Sequence, residues 1–313
     1  MNKYVIGVDI GGTTIKFGLF LDNGDLIEKF AIPTDTSNDG EKLLPDTANA
    51  IINKLTERGI AKDDVLGVGL GIPGPVNEDG IVLFGANIGW ENPVPVKAIL
   101  TDLLDMKVNV TNDANIAALG EIWLGAAKGT KSAVMYTLGT GVGGGIVIDG
   151  KVINGAHGAG GEIGHLTAIP IDGPQCGCGK RGCLETVASA TGIVRVAKEA
   201  LELTEFNSTL HEVENLEAKD IFDAARTGDV LAKELVDQVG FYLGLSAANL
   251  AVSVDPEKII FGGGVAYAGE ILIDAITRYY KKYALKSIRD IPIILATLGN
   301  DAGIIGGAFL AKE

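Results

Sequence analysis

Residues 4–8 form a short β-branched run that stops at Asp9-Ile10-Gly11-Gly12-Thr13-Thr14, and an apolar pattern resumes over residues 15–21 before the tight turn Asp22-Asn23-Gly24-Asp25. That pattern predicts strand, glycine turn, strand, tight turn and strand. Between residues 41 and 58 the apolar positions Leu43, Leu44, Ala48, Ile51, Ile52 and Leu55 recur at helical spacing, and residues 65–70 read as a buried strand. The alternation of helices and strands makes the class α/β.

The second half opens as the first does. Residues 132–138 predict a strand that ends in Gly139-Thr140-Gly141-Val142-Gly143-Gly144-Gly145, followed by a strand over 146–148, the hairpin turn Asp149-Gly150 and a further strand over 151–153. Self-similarity at a domain-sized offset predicts two lobes built on related hairpin cores rather than a solenoid. Residues 258–261 predict a strand running into Gly262-Gly263-Gly264 and a helix over 268–280, and a small-residue helix is expected over 304–311. The acidic stretch 191–237 reads as a solvated helical insertion in the second lobe. The expected division is 1–117 with 300–313 as a smaller lobe, and 118–299 as a larger one.

At 313 residues the chain is long enough for two such lobes, and an apolar share of 47% describes a globular protein. Lys and Arg total 26 against 40 Asp and Glu, and the net charge of −14 argues against nucleic acid and anionic membrane surfaces as partners. It does not exclude a nucleotide, whose charge backbone N–H groups and Mg²⁺ can meet. The apolar stretch at the N-terminus is too short for a signal sequence, and no run approaches the roughly 18 apolar residues of a membrane helix. A cytoplasmic location is therefore expected. Three cysteines, an odd number, make a disulfide framework unexpected.

Two stretches satisfy G-x-G-x-x-G, at residues 69–74 and 139–144, but Pro73 and Pro75 obstruct a helix after the first and a hairpin follows the second. There is no G-x-x-x-x-G-K-[ST]. What remains is a pair of glycine-rich hairpin turns whose N–H groups could cradle phosphates. Gly11, Gly12, Gly139, Gly141 and Gly143 supply the backbone, Thr13, Thr14 and Thr140 add hydroxyls, and Lys16 adds a cation. Asp9 is then the carboxylate that orients Mg²⁺ and its waters. Asn112-Asp113 sits where a strand meets a helix, so Asp113 is either a helix cap or an ionised carboxylate favoured by the helix N-terminus.

Glu162 and His165 lie in a glycine-rich segment with little apolar periodicity, and Glu185 follows. Carboxylates with an imidazole and a carboxamide are the groups that fix the many hydroxyls of a sugar. Between them His165, Cys176, Cys178 and Cys183 follow the pattern His-x₁₀-Cys-x-Cys-x₄-Cys. One imidazole and three thiolates complete a closed tetrahedral site for a structural zinc ion. The second ring nitrogen of His165 would then be oriented for a substrate hydroxyl.

Taken together, Asp9-Ile10-Gly11-Gly12-Thr13, Asn112-Asp113-Ala114-Asn115, the glycine run from Gly139, Gly161-Glu162-Ile163-Gly164-His165 and the cysteine segment through Glu185 resemble the ROK family (repressor, open reading frame, kinase) over essentially the whole chain. Its glucokinase members are the nearest. The resemblance implies the two-lobed actin-like, sugar-kinase (ribonuclease H-like) fold, with ATP and sugar in the interlobe cleft. It implies phosphorylation of glucose at the 6-hydroxyl, with Asp113 as the base. Asn112, Glu162, His165 and Glu185 bind the other hydroxyls, Asn87 lines the pocket, the glycine turns hold ATP, and Gly262, Gly263 and Gly264 lie near the adenosine. It also implies a homodimer or homotetramer. Fructose, mannose or N-acetylmannosamine kinases of the same family are the alternatives. A sugar-responsive repressor is a further one, against which stand the first strand at about residue 4 and the presence of Asp113.

Overall fold

A computed structural model of the chain describes residues 3–85, 88–203 and 207–313. Five strands, β1 (Tyr4–Ile10), β2 (Thr14–Leu21), β3 (Leu26–Pro33), β4 (Val65–Ile72) and β5 (Val108–Asn112), form one sheet in the order β3-β2-β1-β4-β5. Here β1 pairs antiparallel with β2 and parallel with β4, and β4 pairs parallel with β5. A second sheet contains β6 (Ala133–Leu138), β7 (Val142–Ile148), β8 (Lys151–Val152), β9 (Lys258–Gly262) and β10 (Ile293–Leu295), in the order β8-β7-β6-β9-β10. The two orders are the same once β6 is set against β1. The duplication expected from the two glycine turns therefore extends to the parallel strands that flank them.

The helices used below are α1 (Leu43–Arg58), α2 (Val96–Leu104), α3 (Asp113–Trp123), α4 (Ala190–Leu203), α5 (Ala218–Thr227), α6 (Val230–Val254), α7 (Glu270–Tyr283) and α8 (Ala302–Leu310). The periodic residues of α1 do what their spacing predicts. Leu43, Leu44, Ala48, Ile51 and Leu55 are buried, and Gly59 ends the helix at φ 64°. They join β1, β2 and β4 in a core that also takes in Val96, Leu100 and Leu104 of α2. Helix α8 lies against β1 and β4 at backbone distance. A Cβ at Gly7 would lie 1.7 Å from the Ile304 carbonyl oxygen, and one at Gly69 2.0 Å from that of Gly307. Small residues on both sides let helix and strands approach this closely.

The chain divides into two compact units, one of residues 1–131, 145–161 and 298–313, the other of 132–144 and 162–297. The expected division at 117/118 would cut α3, whose buried Ala118, Leu119 and Ile122 belong to one hydrogen-bonded helix packed on α8. The first unit keeps all of α3, through its packing on α8, and gains the segment 145–161.

The expected solvated insertion is solvated only in part. Within 191–237, Ile193, Ala197, Ile221, Phe222, Leu231 and Leu235 are buried, and helix α6, which runs on past that stretch, also buries Val239, Leu243 and Ala247 and packs against α5 and α7. Among the described residues α6 is the one helix long and apolar enough to cross a membrane by length and composition, and its apolar window is 56% buried inside the protein. Gln238, Ser246 and Asn249 interrupt the apolar run, which is why an unbroken stretch was not visible in the sequence. Core helices have this composition without a membrane.

Candidate active site

In the first unit the register places the site at the carboxyl ends of three parallel strands. Asp9 pairs with Gly71, Gly71 with Thr111, and Ile72 with Asn112. Asp9 and the Asn112-Asp113 pair therefore sit two strand spacings apart, roughly 10 Å, at the edge where open α/β sheets bind ligands. The turn beyond Asp9 is fixed in shape by Gly11 N–H donating to the Thr14 carbonyl (3.0 Å) and by the Thr34 hydroxyl donating to the Gly11 carbonyl (2.7 Å). Gly12 and Thr13 stay exposed at its tip.

Asp9 is 21% exposed, and its Oδ2 lies 3.8 Å from Lys16 Nζ across the β1–β2 pair. Burial pushes its carboxyl above the ordinary range, and the Lys16 charge opposes that shift. Helix α8 adds to the confinement, because a Cβ at Gly303 would lie 2.6 Å from Asp9 Cγ. Only glycine at 303 lets the carboxylate rest against the first turn of that helix.

Asn112, and not its neighbour, caps α3. Its Oδ1 accepts from Ala114 N–H (2.8 Å) and Asn115 N–H (3.3 Å), and its Nδ2 donates to the Gly74 carbonyl (3.2 Å). Asp113 is therefore not the N-cap residue. Asp113 is exposed at the first helical position, where its Oδ1 accepts from Ala114 N–H. The carboxamide of Asn112, expected as a sugar ligand, is held largely by its own helix. Asn87 lies outside the described residues.

In the second unit Glu162, His165 and Glu185 come together as expected. His165 Nε2 lies 3.9 Å from Glu162 Oε2. Burial pushes the Glu162 carboxyl up, His165 opposes this and the Glu185 charge adds to it. Glu185 accepts from Val142 N–H through Oε2 (3.0 Å), while its Oε1 lies 3.7 Å from the Cys176 sulfur. The glycine turn is braced by α4: Ala190 N–H donates to the Gly139 carbonyl (2.8 Å) and the Thr191 hydroxyl to that of Thr140 (2.8 Å). Gly143 lies inside β7, so its backbone belongs to the sheet and not to the turn.

The four expected metal ligands also converge. The ligand atoms of His165, Cys176, Cys178 and Cys183 all lie within 4.8 Å of one another. Cys176 Sγ is 3.7 Å from His165 Nδ1, and Cys178 Sγ is 3.7 Å from Cys183 Sγ. A tetrahedron with zinc–sulfur arms of about 2.3 Å has edges of about 3.8 Å, so the donor set fits that ion in chemistry and these two separations fit it in size. Nδ1 faces the thiols and Nε2 faces Glu162. Burial pushes the Cys183 thiol up to about 12 when no cation is present, so metal binding would release protons from this cluster.

Beside the turn lies a pocket of about 970 Å³ lined in part by Gly139, Thr140, Thr191, Arg195, Lys198, Lys219, Gly264 and Tyr267. It joins two glycine segments far apart in sequence, because β6 and β9 run parallel with Thr137 opposite Gly262. Of the three glycines expected near a nucleoside, Gly264 alone lines it. Gly262 ends β9, and Gly263, at φ 86°, packs against the Leu138 backbone. Sequence reading missed the helical contributors Thr191, Arg195, Lys198 and Lys219. Arg195, Lys198 and Lys219 stand in an otherwise acidic stretch, and Glu199, Glu202, Glu217 and Asp223 line the same pocket, so residue type alone does not single them out.

The ROK family profile matches residues 5–313. A glucokinase of Halalkalibacterium halodurans is 46% identical over 319 aligned positions, covering 100% of this chain and 96% of that protein. Among solved structures, a ROK hexokinase from Thermus thermophilus superposes with a TM-score of 0.83 at 36% identity, covering 98% of this chain and 97% of that one. A ROK family glucokinase from Streptomyces griseus, in complex with glucose and AMPPNP, gives 0.75 at 35% identity and covers 99% of each.

Proposed function

The chain belongs to the ROK family, and from that premise we propose that it is an ATP-dependent glucokinase, transferring the γ-phosphoryl group of ATP to the 6-hydroxyl of glucose. The observation that carries the reading is the division of labour at the end of β5. Asn112 satisfies the helix N-terminus, and Asp113 presents an exposed carboxylate beside it. A base for a hydroxyl must be reachable from solvent, and Asp113 is exposed although its Oδ1 also accepts from Ala114 N–H.

In this reading Glu162, Glu185 and the Nε2 side of His165 orient the glucose hydroxyls, with Asn112 and Asn87 as the remaining sugar ligands. Asp113 aligns the 6-hydroxyl and takes its proton as O6 bonds to the γ-phosphorus and the bond to the β–γ bridging oxygen breaks. The products are glucose 6-phosphate and ADP. The transition state is loose, so the base is needed late and its alignment matters more than its basicity. The turns at Gly11-Gly12 and Gly139-Thr140 support the phosphates through backbone N–H groups, and the pocket beside Gly264 takes the nucleoside. Asp9 suits Mg²⁺, because a partly buried carboxylate with a raised pKa gains from a hard cation what burial withholds. Bound there, Mg²⁺ supplies charge neutralisation of the phosphates. Zn²⁺ on His165, Cys176, Cys178 and Cys183 is structural, since four protein ligands leave no open position.

The reading extends to a cytoplasmic homodimer or homotetramer. Phe241 makes edge contacts with Tyr242, Tyr279 and Tyr283 at the surface of α6 and α7, an aromatic face of the kind that subunits cover. Light scattering on the purified chain measures that mass. The substrate is tested by kcat/KM across glucose, mannose, fructose and N-acetylmannosamine with ATP. Glucose is expected to give the largest value, and a larger one for another sugar would replace it as the substrate.

A further inference from the structure

Resting on that reading, we propose that Gly141 serves the sugar and not the phosphate: it is a positioning residue whose missing side chain makes the slot that seats Glu185. A turn uses glycine for one of three reasons, namely a left-handed φ, close approach of the protein's own atoms, or close approach of a ligand. Gly141 does not have a left-handed φ. Its backbone is open to any residue, so the first reason does not apply.

The second does. A Cβ at position 141 would lie 2.3 Å from Glu185 Oε2 and 3.2 Å from its Cδ, well inside contact distance. The next amide, Val142 N–H at the start of β7, donates to that same oxygen at 3.0 Å. A bond from a backbone donor to an ionised acceptor fixes the carboxylate's pose more firmly than a neutral pair would. An incoming phosphate at this amide would meet a negative charge already in place. Val142 N–H is therefore outside the phosphate cradle that the glycine pattern suggests.

Gly139, two residues earlier, gives the contrast. It too lacks a left-handed φ, and a Cβ there would meet no protein atom within 4 Å. The space over Gly139 is open to a ligand, while the space over Gly141 is filled by Glu185. With Oε2 anchored to the turn, Oε1 is the oxygen left for a hydroxyl, since its neighbour at 3.7 Å is the Cys176 sulfur, which as a zinc-bound thiolate would have no proton to donate. One turn thus carries two tasks, phosphate at its entrance and sugar at its exit.

The test compares the full chain with Gly139→Ala, Gly141→Ala, Glu185→Ala and the Gly141→Ala/Glu185→Ala double variant. Glucose affinity is measured by calorimetry without nucleotide, KM for MgATP by steady-state assay, and Tm by calorimetric melting. Gly141→Ala is expected to weaken glucose binding about tenfold, the scale of one hydrogen bond to a charged group, with KM for MgATP moved less than about twofold. Gly139→Ala is expected to do the reverse. Gly141→Ala should lower Tm when Glu185 is present and leave it unchanged in the Glu185→Ala background, where the slot is empty. If Gly141→Ala alone does not fold, the double variant decides the matter by folding with the Tm of Glu185→Ala. A rise in KM for MgATP with unchanged glucose affinity overturns the inference, as does an equal fall in Tm in both backgrounds. A wild-type chain that bound no glucose would defeat the glucokinase reading, while the melting comparison would still report on the Gly141–Glu185 slot.

Discussion

The two glycine turns share one backbone plan and are furnished with acid in opposite ways. The first carries its carboxylate within the strand that leads into it, as Asp9 at the end of β1, held against Gly303 and facing Lys16. The second has no acid of its own. It borrows Glu185 from a segment more than forty positions on and seats it against Gly141 through Val142 N–H. Duplicated strand order thus fixes where a ligand can approach, while what the ligand meets is decided by later additions to each copy. The first copy is suited to a cation and the second to a hydroxyl.

The largest test of that contrast exchanges the charge on each side. Asp9→Asn is expected to lower kcat by about 10²–10³-fold and to raise the Mg²⁺ concentration giving half-maximal rate, as expected for removing charge stabilisation from phosphoryl transfer. Glu185→Gln is expected to act mainly on KM for glucose, and steady-state kinetics at varied Mg²⁺ and glucose separate the two. If both variants changed the same parameter, the division would be wrong.

A smaller effect follows from the helix packed behind Asp9. Gly303→Ala puts a Cβ 2.6 Å from Asp9 Cγ. Displacing the carboxylate should raise the Mg²⁺ requirement several-fold, and the overpacking should cost about 1–3 kcal/mol of stability in denaturant titration. An unchanged Mg²⁺ requirement would remove Asp9 from the cation's surroundings.

The pH dependence has a definite sign. Burial raises the folded pKa of Asp9 above its unfolded value, so its contribution to stability is fully present below the unfolded pKa and is lost as pH rises through the folded one. Asp9→Asn should therefore gain in Tm relative to the native chain near neutral pH, with the gain shrinking as pH falls through that window. The ionised form is the one that binds a cation, so the acid limb of kcat/KM for MgATP should lie above the ordinary carboxylate range. Lys16→Met should move it higher still, because the Lys16 charge lowers this pKa. A limb that stayed fixed on loss of Lys16 would contradict the assignment.

Smallest in its effect on turnover, Cys176→Ser should release zinc by elemental analysis and lower Tm. Undiminished zinc with unchanged melting would reject the site.

Much of this was legible in the sequence, and the exceptions have a common cause. Asp9, Asp113, Glu162, His165 and the cysteines announce themselves by residue type and local spacing, and local spacing is what folding preserves. The role of Asn112 as the cap was not visible, because both members of the pair are good caps and only the φ and ψ of Asn112, −67° and 153°, decide between them. The slot at Gly141 depends on Glu185, which lies 43 positions beyond Val142. The helical lining of the pocket beside Gly264, where Arg195, Lys198, Lys219 and Arg226 are matched by Glu199, Glu202, Glu217 and Asp223, comes from helices packed on α6, whose own burial was not legible either. The unit boundary failed for the same reason, since α3 belongs with α8 through contacts between distant parts of the chain.

The central claim is that Asp113 is the group that accepts the proton of the sugar hydroxyl, and Asp113→Asn tests it most directly. Glucose affinity by calorimetry and glucose-dependent ADP formation are measured on the same preparation. The account expects glucose binding within about threefold of the native chain, with turnover reduced by about 10²–10⁴-fold, the usual scale of general acid–base catalysis. Retained turnover in a variant that still binds glucose would contradict it.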